Sequence, residues 1–285
     1  MLTSAQAAIL GVLQGISELF PISSLGHSII LPGLLGWSID RNANYFLTFL
    51  VATHFATALV LFFFYLDDWF RIIGGMLRSI WSRSLAGDPD ARLGWMLVVG
   101  TVPAGMLGLL FEKRLQRLFV SPSYVAALLL LNGVLLYVAE LLRKRAALAE
   151  GVRDPDQRIA VEISWWQSAK VGVMQVLALL PGFSRTGSTL AGGLMVGLAH
   201  EDALRFSFLL ATPIIAAAAV LKLPALFVSM DRAAIDAALL GAGCAAVAAF
   251  FSVKFLTRYF KTRTLTPFAI YCLLAGFSGL MLLRR

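Results

Sequence analysis

Six apolar runs leave this chain few ways to fold: about Asn44–Leu66, Leu93–Phe111, Pro122–Leu142, Arg205–Val228, Ala233–Leu256 and Thr266–Leu283. A helical stretch of roughly 18 or more apolar residues matches the ~30 Å hydrocarbon core of a bilayer. Lipid offers no partner to a backbone N–H or C=O, so such runs resolve into helices bonded within themselves. With 59% hydrophobic residues and a mean hydropathy of +0.81, the expected class is an all-α integral membrane protein. The net charge of +8 is spread over short loops, which suits anionic lipid headgroups rather than one nucleic-acid-binding surface. Cys244 and Cys272 lie inside apolar runs and make neither a disulfide framework nor a metal motif. The N-terminus has no Lys or Arg before its apolar stretch from Ala5 and no small-residue cleavage site, so no removable signal peptide is expected.

Two further apolar stretches are too short to cross alone. Ala5–Leu19 ends at Phe20-Pro21, and Ile22–Trp37 is interrupted by Pro32 and Gly33. Between them Gln14–His27 reads Q-G-I-S-E-L-F-P-I-S-S-L-G-H and holds Gln14, Glu18, Ser23, Ser24 and His27. Ionisable groups at membrane depth are costly and are functional candidates by default. The i,i+4 spacing puts Gln14 and Glu18 on one helix face, and Pro21 stops that helix. The pattern predicts a re-entrant helical hairpin around a polar turn.

The same pattern returns 161 residues later, as Ala169–Leu180 and Thr186–Leu198 around Pro181-Gly182. Gly172–Thr189 laid on Gly11–Ser28 without gaps matches at Gly, Val, Gln, Leu, Ser and Gly, six identities in eighteen positions. Glu18 faces Leu179, Ser24 faces Arg185 and His27 faces Ser188, so one copy carries acid and imidazole and the other the guanidinium. That division predicts one composite site. The expected architecture is a single membrane domain over 1–285: a first half of about 1–145, a charged linker of about 146–160 and a second half of about 161–285. Each half has one hairpin and three spans, and three crossings invert the second half. Twelve Lys and Arg fall on one side of this threading, among them Arg71, Arg78, Arg83, Arg92, Arg258 and Arg263, and seven on the other. The richer side is assigned to the cytoplasm, which puts both termini and the mouth of the first hairpin outside.

In the second turn, P-G-F-S-R-T-G-S-T, Arg185 stands among Ser184, Thr186, Ser188 and Thr189, with Gly182 and Gly187 beside them. A planar guanidinium fork, hydroxyls, close backbone and a helix N-terminus describe an anion cradle suited to phosphate. Glu18 with Gln14 offers oxygen ligands to a divalent cation such as Mg or Ca, or Glu18 serves as a general base. His27 is a candidate nucleophile, acid or base to Ser24. His54 is read as a supporting contact or a helix–helix hydrogen bond. Lys222, Lys254, Arg205 and Glu140 lie near span ends, where snorkelling is expected.

These turns, with G-T-V-P-A-G (Gly100–Gly105), F-S-F-L-L-A-T-P (Phe206–Pro213) and P-F-A-I-Y (Pro267–Tyr271), resemble the undecaprenyl-diphosphate phosphatase family of the bacitracin-resistance type over nearly the whole chain. The resemblance implies an inner-membrane hydrolase that converts undecaprenyl diphosphate to undecaprenyl phosphate, recycling the carrier lipid of peptidoglycan synthesis. It implies a divalent cation and leaves the oligomeric state open, a homodimer included. By position, the acidic motif falls on Gln14 and Glu18, the hydroxyl–imidazole turn on Ser23, Ser24 and His27, and the phosphate-binding turn on Ser184, Arg185 and Thr189, with Thr186, Gly187 and Ser188 between. Position 14 is Gln where many relatives carry Glu, and Leu50 stands where an acid is common. The competing reading is a polyprenyl-phosphate flippase using the same cradle, since inverted repeats with broken helices also build transporters. The type 2 phosphatidic-acid phosphatase pattern is argued against, because its later His and Asp positions hold Ala191 and Met195.

Overall fold

A computed structural model describes residues 1–40, 43–116, 121–143, 159–160, 163–228 and 231–283. The helices in chain order are α1 (Ser4–Leu19), α2 (Ser24–Leu34), α3 (Asn44–Phe64), α4 (Leu66–Ser82), α5 (Pro89–Gln116), α6 (Pro122–Arg143), α7 (Trp165–Gln175), α8 (Arg185–Met195), α9 (His200–Val228), α10 (Arg232–Tyr259) and α11 (Thr266–Leu282). A 3₁₀ turn, Val176–Leu179, prolongs α7. Among the described residues the only pairing of β type is an isolated bridge between Pro181 and Phe183. Five of the helices, α3, α5, α6, α9 and α10, are long and apolar enough to cross a membrane, so the protein is an all-α multi-pass bundle. At 17 residues α11 is one short of that length criterion.

Three expectations are corrected. The stretch carrying Arg71 and Arg78, read as basic surface between two spans, is the helix α4. It has no apolar run to announce it; its buried positions Trp69, Ile72, Gly75 and Ser79 recur at helical spacing along one face. Asp67 and Asp68 sit in its first turn, where the positive end of the helix dipole favours them. Asp68 also accepts from Arg205 of α9 at 2.8 Å, and that guanidinium lies 5.1 Å from the centre of the Tyr65 ring. Arg205 therefore docks α4 rather than snorkelling. Glu140 is likewise buried, not at the interface: it accepts from His200 Nε2 at 2.7 Å and from the Leu265 N–H at 3.0 Å, tying α6 to the starts of α9 and α11.

Small residues set how closely the helices approach. A Cβ on Gly11 of α1 would strike the carbonyl of Gly241 on α10, and one on Gly172 of α7 would strike that of Gly100 on α5. Gly133 of α6 faces Ala269 and Leu273 of α11, while Gly276 of α11 faces Ala126 and Leu130 of α6. Without a hydrophobic drive between helices in lipid, such close backbone packing is a main source of association. The core runs through the centre of the bundle, with Leu19, Ile22, Leu61, Leu129, Phe206 and Phe208 in it. Phe63, Leu109, Leu110, Phe251 and Leu274 are exposed on the periphery, as lipid-facing residues are.

Candidate active site

The turns α1–α2 and α7–α8 meet. Each begins its second helix with a serine cap: the Ser23 oxygen accepts from the Gly26 N–H at 3.2 Å, and the Ser184 oxygen from the Gly187 N–H at 3.0 Å. Gly187 suits the meeting, since a Cβ there would be crowded at 3.2 Å from the Pro21 carbonyl oxygen. Gly182, at φ +118°, makes the bend that passes against α6, in a region that L side chains rarely enter. Asn132 of α6 bridges the two turns. Its Nδ2 donates to the Pro21 carbonyl at 3.0 Å, and its Oδ1 accepts from the Ser184 N–H at 3.1 Å.

Glu18 stands at the centre, buried at the end of α1. Its Oε1 accepts from Arg185 Nη2 at 2.9 Å. Its Oε2 accepts from Ser24 Oγ at 2.6 Å and from Gln14 Nε2 at 3.2 Å, with His54 Nε2 also at 3.2 Å. His54 Nδ1 lies 2.7 Å from the Leu50 carbonyl, which can only accept. With acceptors facing both ring nitrogens, His54 fits as an imidazolium, so the carboxylate is set between two cations. His27 differs. Its Nδ1 lies 2.6 Å from the Ser23 carbonyl and its Nε2 2.7 Å from the Tyr271 hydroxyl, a group able to donate, so a neutral imidazole satisfies both contacts. The His27 and Tyr271 rings stack at 5.7 Å.

The structure thus brings Gln14, Glu18, Ser24 and Arg185 into one hydrogen-bonded group. It gives the other anticipated residues protein partners, the Ser188 hydroxyl excepted. Thr186 Oγ1 donates to the Glu18 carbonyl at 2.9 Å, Ser184 Oγ to the Phe20 carbonyl at 3.3 Å, and Thr189 Oγ1 to the Arg185 carbonyl at 2.9 Å while also meeting Ser207. The Gly187 N–H is held by its cap. Among the described residues of the two hairpins, the polar atoms buried without a partner are Nε and Nη1 of Arg185, Oε1 of Gln14, both side-chain polar atoms of Gln175, and the hydroxyls of Ser28 and Ser188. Two polar residues of the cluster were not singled out from sequence, and a third was underrated. Asn132 and Tyr271 come from distant helices, and His54, read only as a supporting residue, contacts the carboxylate itself. A lone amide within the apolar run L-L-L-L-N-G-V-L-L was a legible signal for Asn132.

The family model described as bacitracin resistance protein BacA matches residues 7–278. Among similar proteins, an undecaprenyl-diphosphatase of Mycolicibacterium paratuberculosis is 45% identical, over 98% of this chain and 97% of its own length. An undecaprenyl-diphosphatase 2 of Chromobacterium violaceum is 44% identical, over 98% and 99%. An undecaprenyl-diphosphatase 1 of Burkholderia pseudomallei is 45% identical, over 94% and 92%.

Proposed function

We infer that this chain, which belongs to the bacitracin resistance protein BacA family, is an undecaprenyl-diphosphatase of the bacterial inner membrane, hydrolysing undecaprenyl diphosphate to undecaprenyl phosphate and phosphate. One observation carries the reading to this site: the 2.9 Å ion pair of Glu18 with Arg185 joins the two turns yet leaves Nε and Nη1 of Arg185 buried and unpartnered. Buried polar groups are normally bonded, and unspent guanidinium donors suit phosphate oxygens.

In this reading Arg185 grips the terminal phosphate and stabilises charge as it transfers. The His54 imidazolium keeps the pocket positive once Glu18 is counted. Ser24 is the nucleophile the geometry favours, because its hydroxyl already donates to Glu18 Oε2, whereas both His27 nitrogens are engaged. The Ser24 oxygen attacks the terminal phosphorus, its proton passes to Glu18, and the bond to the bridging oxygen breaks, releasing undecaprenyl phosphate. Water then cleaves the serine phosphate, restoring the hydroxyl and releasing phosphate. His27 holds the Ser23 carbonyl and so the turn that aims Ser24. Ser23, Ser184, Thr186, Gly187 and Thr189 shape the pocket, and the Ser188 hydroxyl is left to bind.

For a divalent cation, among the described residues no group of three His, Cys, Asp or Glu is assembled. The unpartnered Gln14 Oε1 is an oxygen open to a hard cation, and Glu18, whose oxygens accept from Arg185, Ser24, Gln14 and His54, would join it by releasing one of those contacts, with phosphate and water as the remaining ligands. Bound there, Mg or Ca would neutralise phosphate charge.

We read the architecture as an inverted repeat of six spans, α3, α5 and α6 answering α9, α10 and α11, with α1–α2 and α7–α8 as re-entrant hairpins. The reciprocal contacts of Gly133 and Gly276, and of Gly11 and Gly172, support this reading. The hairpin registers differ by 161 residues and the Gly133/Gly276 registers by 143; the 17-residue α4, which has no counterpart among the described residues, lies between them. Outward termini and a site open to the outer face rest on the count of basic residues. Lys144, Arg145, Arg153 and Arg158, like most of the linker, fall outside the described residues.

Phosphate release from undecaprenyl diphosphate by purified protein, with and without chelator and beside Glu18→Gln, tests the assignment. Release that depends on metal and is lost in the variant is expected. Lipid movement in liposomes without release would instead favour transport. A labelled phospho-enzyme that forms in wild type and not in Ser24→Ala is the expected mark of the covalent route.

A further inference from the structure

A concavity of a different character lies along the seam of α1 and α10, on the opposite face of α1 from Glu18. A groove of about 840 Å³ is lined there by Val12, Ile16 and Phe20 and by α10 from Leu239 to Phe255. At 1.5 Å per residue that stretch of α10 covers roughly 24 Å, most of a hydrocarbon core of ~30 Å. Gly243 opens its floor, since a Cβ there would meet nothing within 4 Å. Towards the C-terminal end of α10 the groove runs into a second hollow of about 440 Å³, which shares Phe251 and Phe255 and adds Lys254, Arg258 and Arg263. No carboxylate lines either hollow, whereas the adjacent Lys261 has Glu201 at 3.8 Å.

We propose that this composite hollow binds an anionic membrane phospholipid, its phosphate held by Lys254, Arg258 and Arg263 and one acyl chain laid along the groove. The three cations are exposed at the end of a membrane-crossing helix, the level at which lipid phosphates lie. A soluble anion would use the cations and leave the apolar groove without a purpose, while a neutral lipid would leave the cations without one. Only a ligand with both parts matches the whole surface. Occupancy also has a consequence for the site. Gly11 and Gly15 press the α1 backbone onto Gly241 and Ala245 of α10, so a chain in the groove braces α1 from behind while Gln14 and Glu18 face the reaction.

Thermal unfolding of the detergent-purified chain, titrated with phosphatidylglycerol, phosphatidylcholine or inorganic phosphate, tests this. Phosphatidylglycerol alone should raise the melting temperature saturably. Replacing all three cations (Lys254→Gln, Arg258→Gln, Arg263→Gln) should weaken its half-saturation roughly 100-fold, and their exposure lets the fold survive the change. Gly243→Phe fills the groove without touching the cations and should also abolish the saturable rise, with the lipid-free melting temperature near wild type. An equal rise with phosphatidylcholine would reduce the groove to a general lipid contact. An equal rise with phosphate would make the hollow a soluble-anion site. A phosphatidylglycerol response unchanged in either variant would place the lipid elsewhere. Each of these three results overturns the proposal.

Discussion

Ser23 and Ser184 occupy the same register in the two turns, and each caps a short helix by accepting an N–H three residues on. Their backbones differ. Ser184 is extended at φ −88°, while Ser23 sits at φ +69°, where an L residue is held at a cost on the order of 1–3 kcal/mol. The second turn is relaxed and delivers one cation, Arg185. The first is strained and delivers Glu18 and Ser24, with the Ser23 carbonyl turned to His27 Nδ1. A duplicated capping device thus supplies the frame twice, and the candidate reactive groups sit where the copies diverge.

If the two turns form one site, breaking their shared ion pair has the largest effect. Arg185→Ala leaves a buried carboxylate facing fewer partners, and Glu18→Gln leaves the guanidinium without its counter-charge. Each should lower turnover about 10³-fold, a loss typical of removing a charge-stabilising group. The double variant should lose far less than the product of the two, since residues in one network are not additive. Phosphate-release kinetics on the four proteins check this. Fully multiplicative losses would mean that the turns act separately.

Asn132 tests the bridge rather than the chemistry. Asn132→Ala leaves the Pro21 carbonyl and the Ser184 N–H buried without their partner, each costing about 1–3 kcal/mol. A fall in melting temperature together with turnover is expected. Wild-type turnover in a well-folded variant would show that the turns hold their register without α6.

The residues that meet at the candidate site were more legible in the sequence than their supports, for one physical reason. Glu18, His27 and Arg185 stand out because charge and imidazole are costly within apolar runs. Ser23 and Ser184 stand out because the duplication aligns them. Tyr271 and Asn132 are ordinary residues of spans, and only tertiary structure places them 244 and 111 residues from their partners in the first turn. Glu140 and Arg205 mislead in the other direction: near span ends they read as snorkelling side chains, yet each is consumed in fastening helices. Helix α4 escaped notice because a single buried stripe carries no long apolar run.

The paired glutamines sharpen the contrast at smaller scale. Gln14 donates to Glu18 and keeps its oxygen free, while Gln175, at the same register, has both polar atoms buried without a partner. Gln14→Leu should reduce turnover about tenfold, the loss expected of roughly one charge-assisted hydrogen bond. Gln175→Leu should leave turnover unchanged and raise stability, because it removes an unsatisfied buried amide. A collapse of activity in Gln175→Leu would mean that the second copy holds part of the site after all.

The smallest effect belongs to the capping serines. Glycine enters positive φ freely and costs only a few tenths of a kcal/mol as a cap, so Ser23→Gly exchanges a modest loss for the relief of a larger strain. Its melting temperature should equal or exceed that of wild type. Ser184→Gly has no strain to relieve and also loses the contact to the Phe20 carbonyl, so its melting temperature should fall. Turnover should move the opposite way in the first pair: if the strained backbone is what aims Ser24 at its target, Ser23→Gly gains stability and loses rate. A Ser23→Gly variant that is both more stable and fully active would show the strain to be incidental to the chemistry. The two turns would then differ only in the side chains they carry.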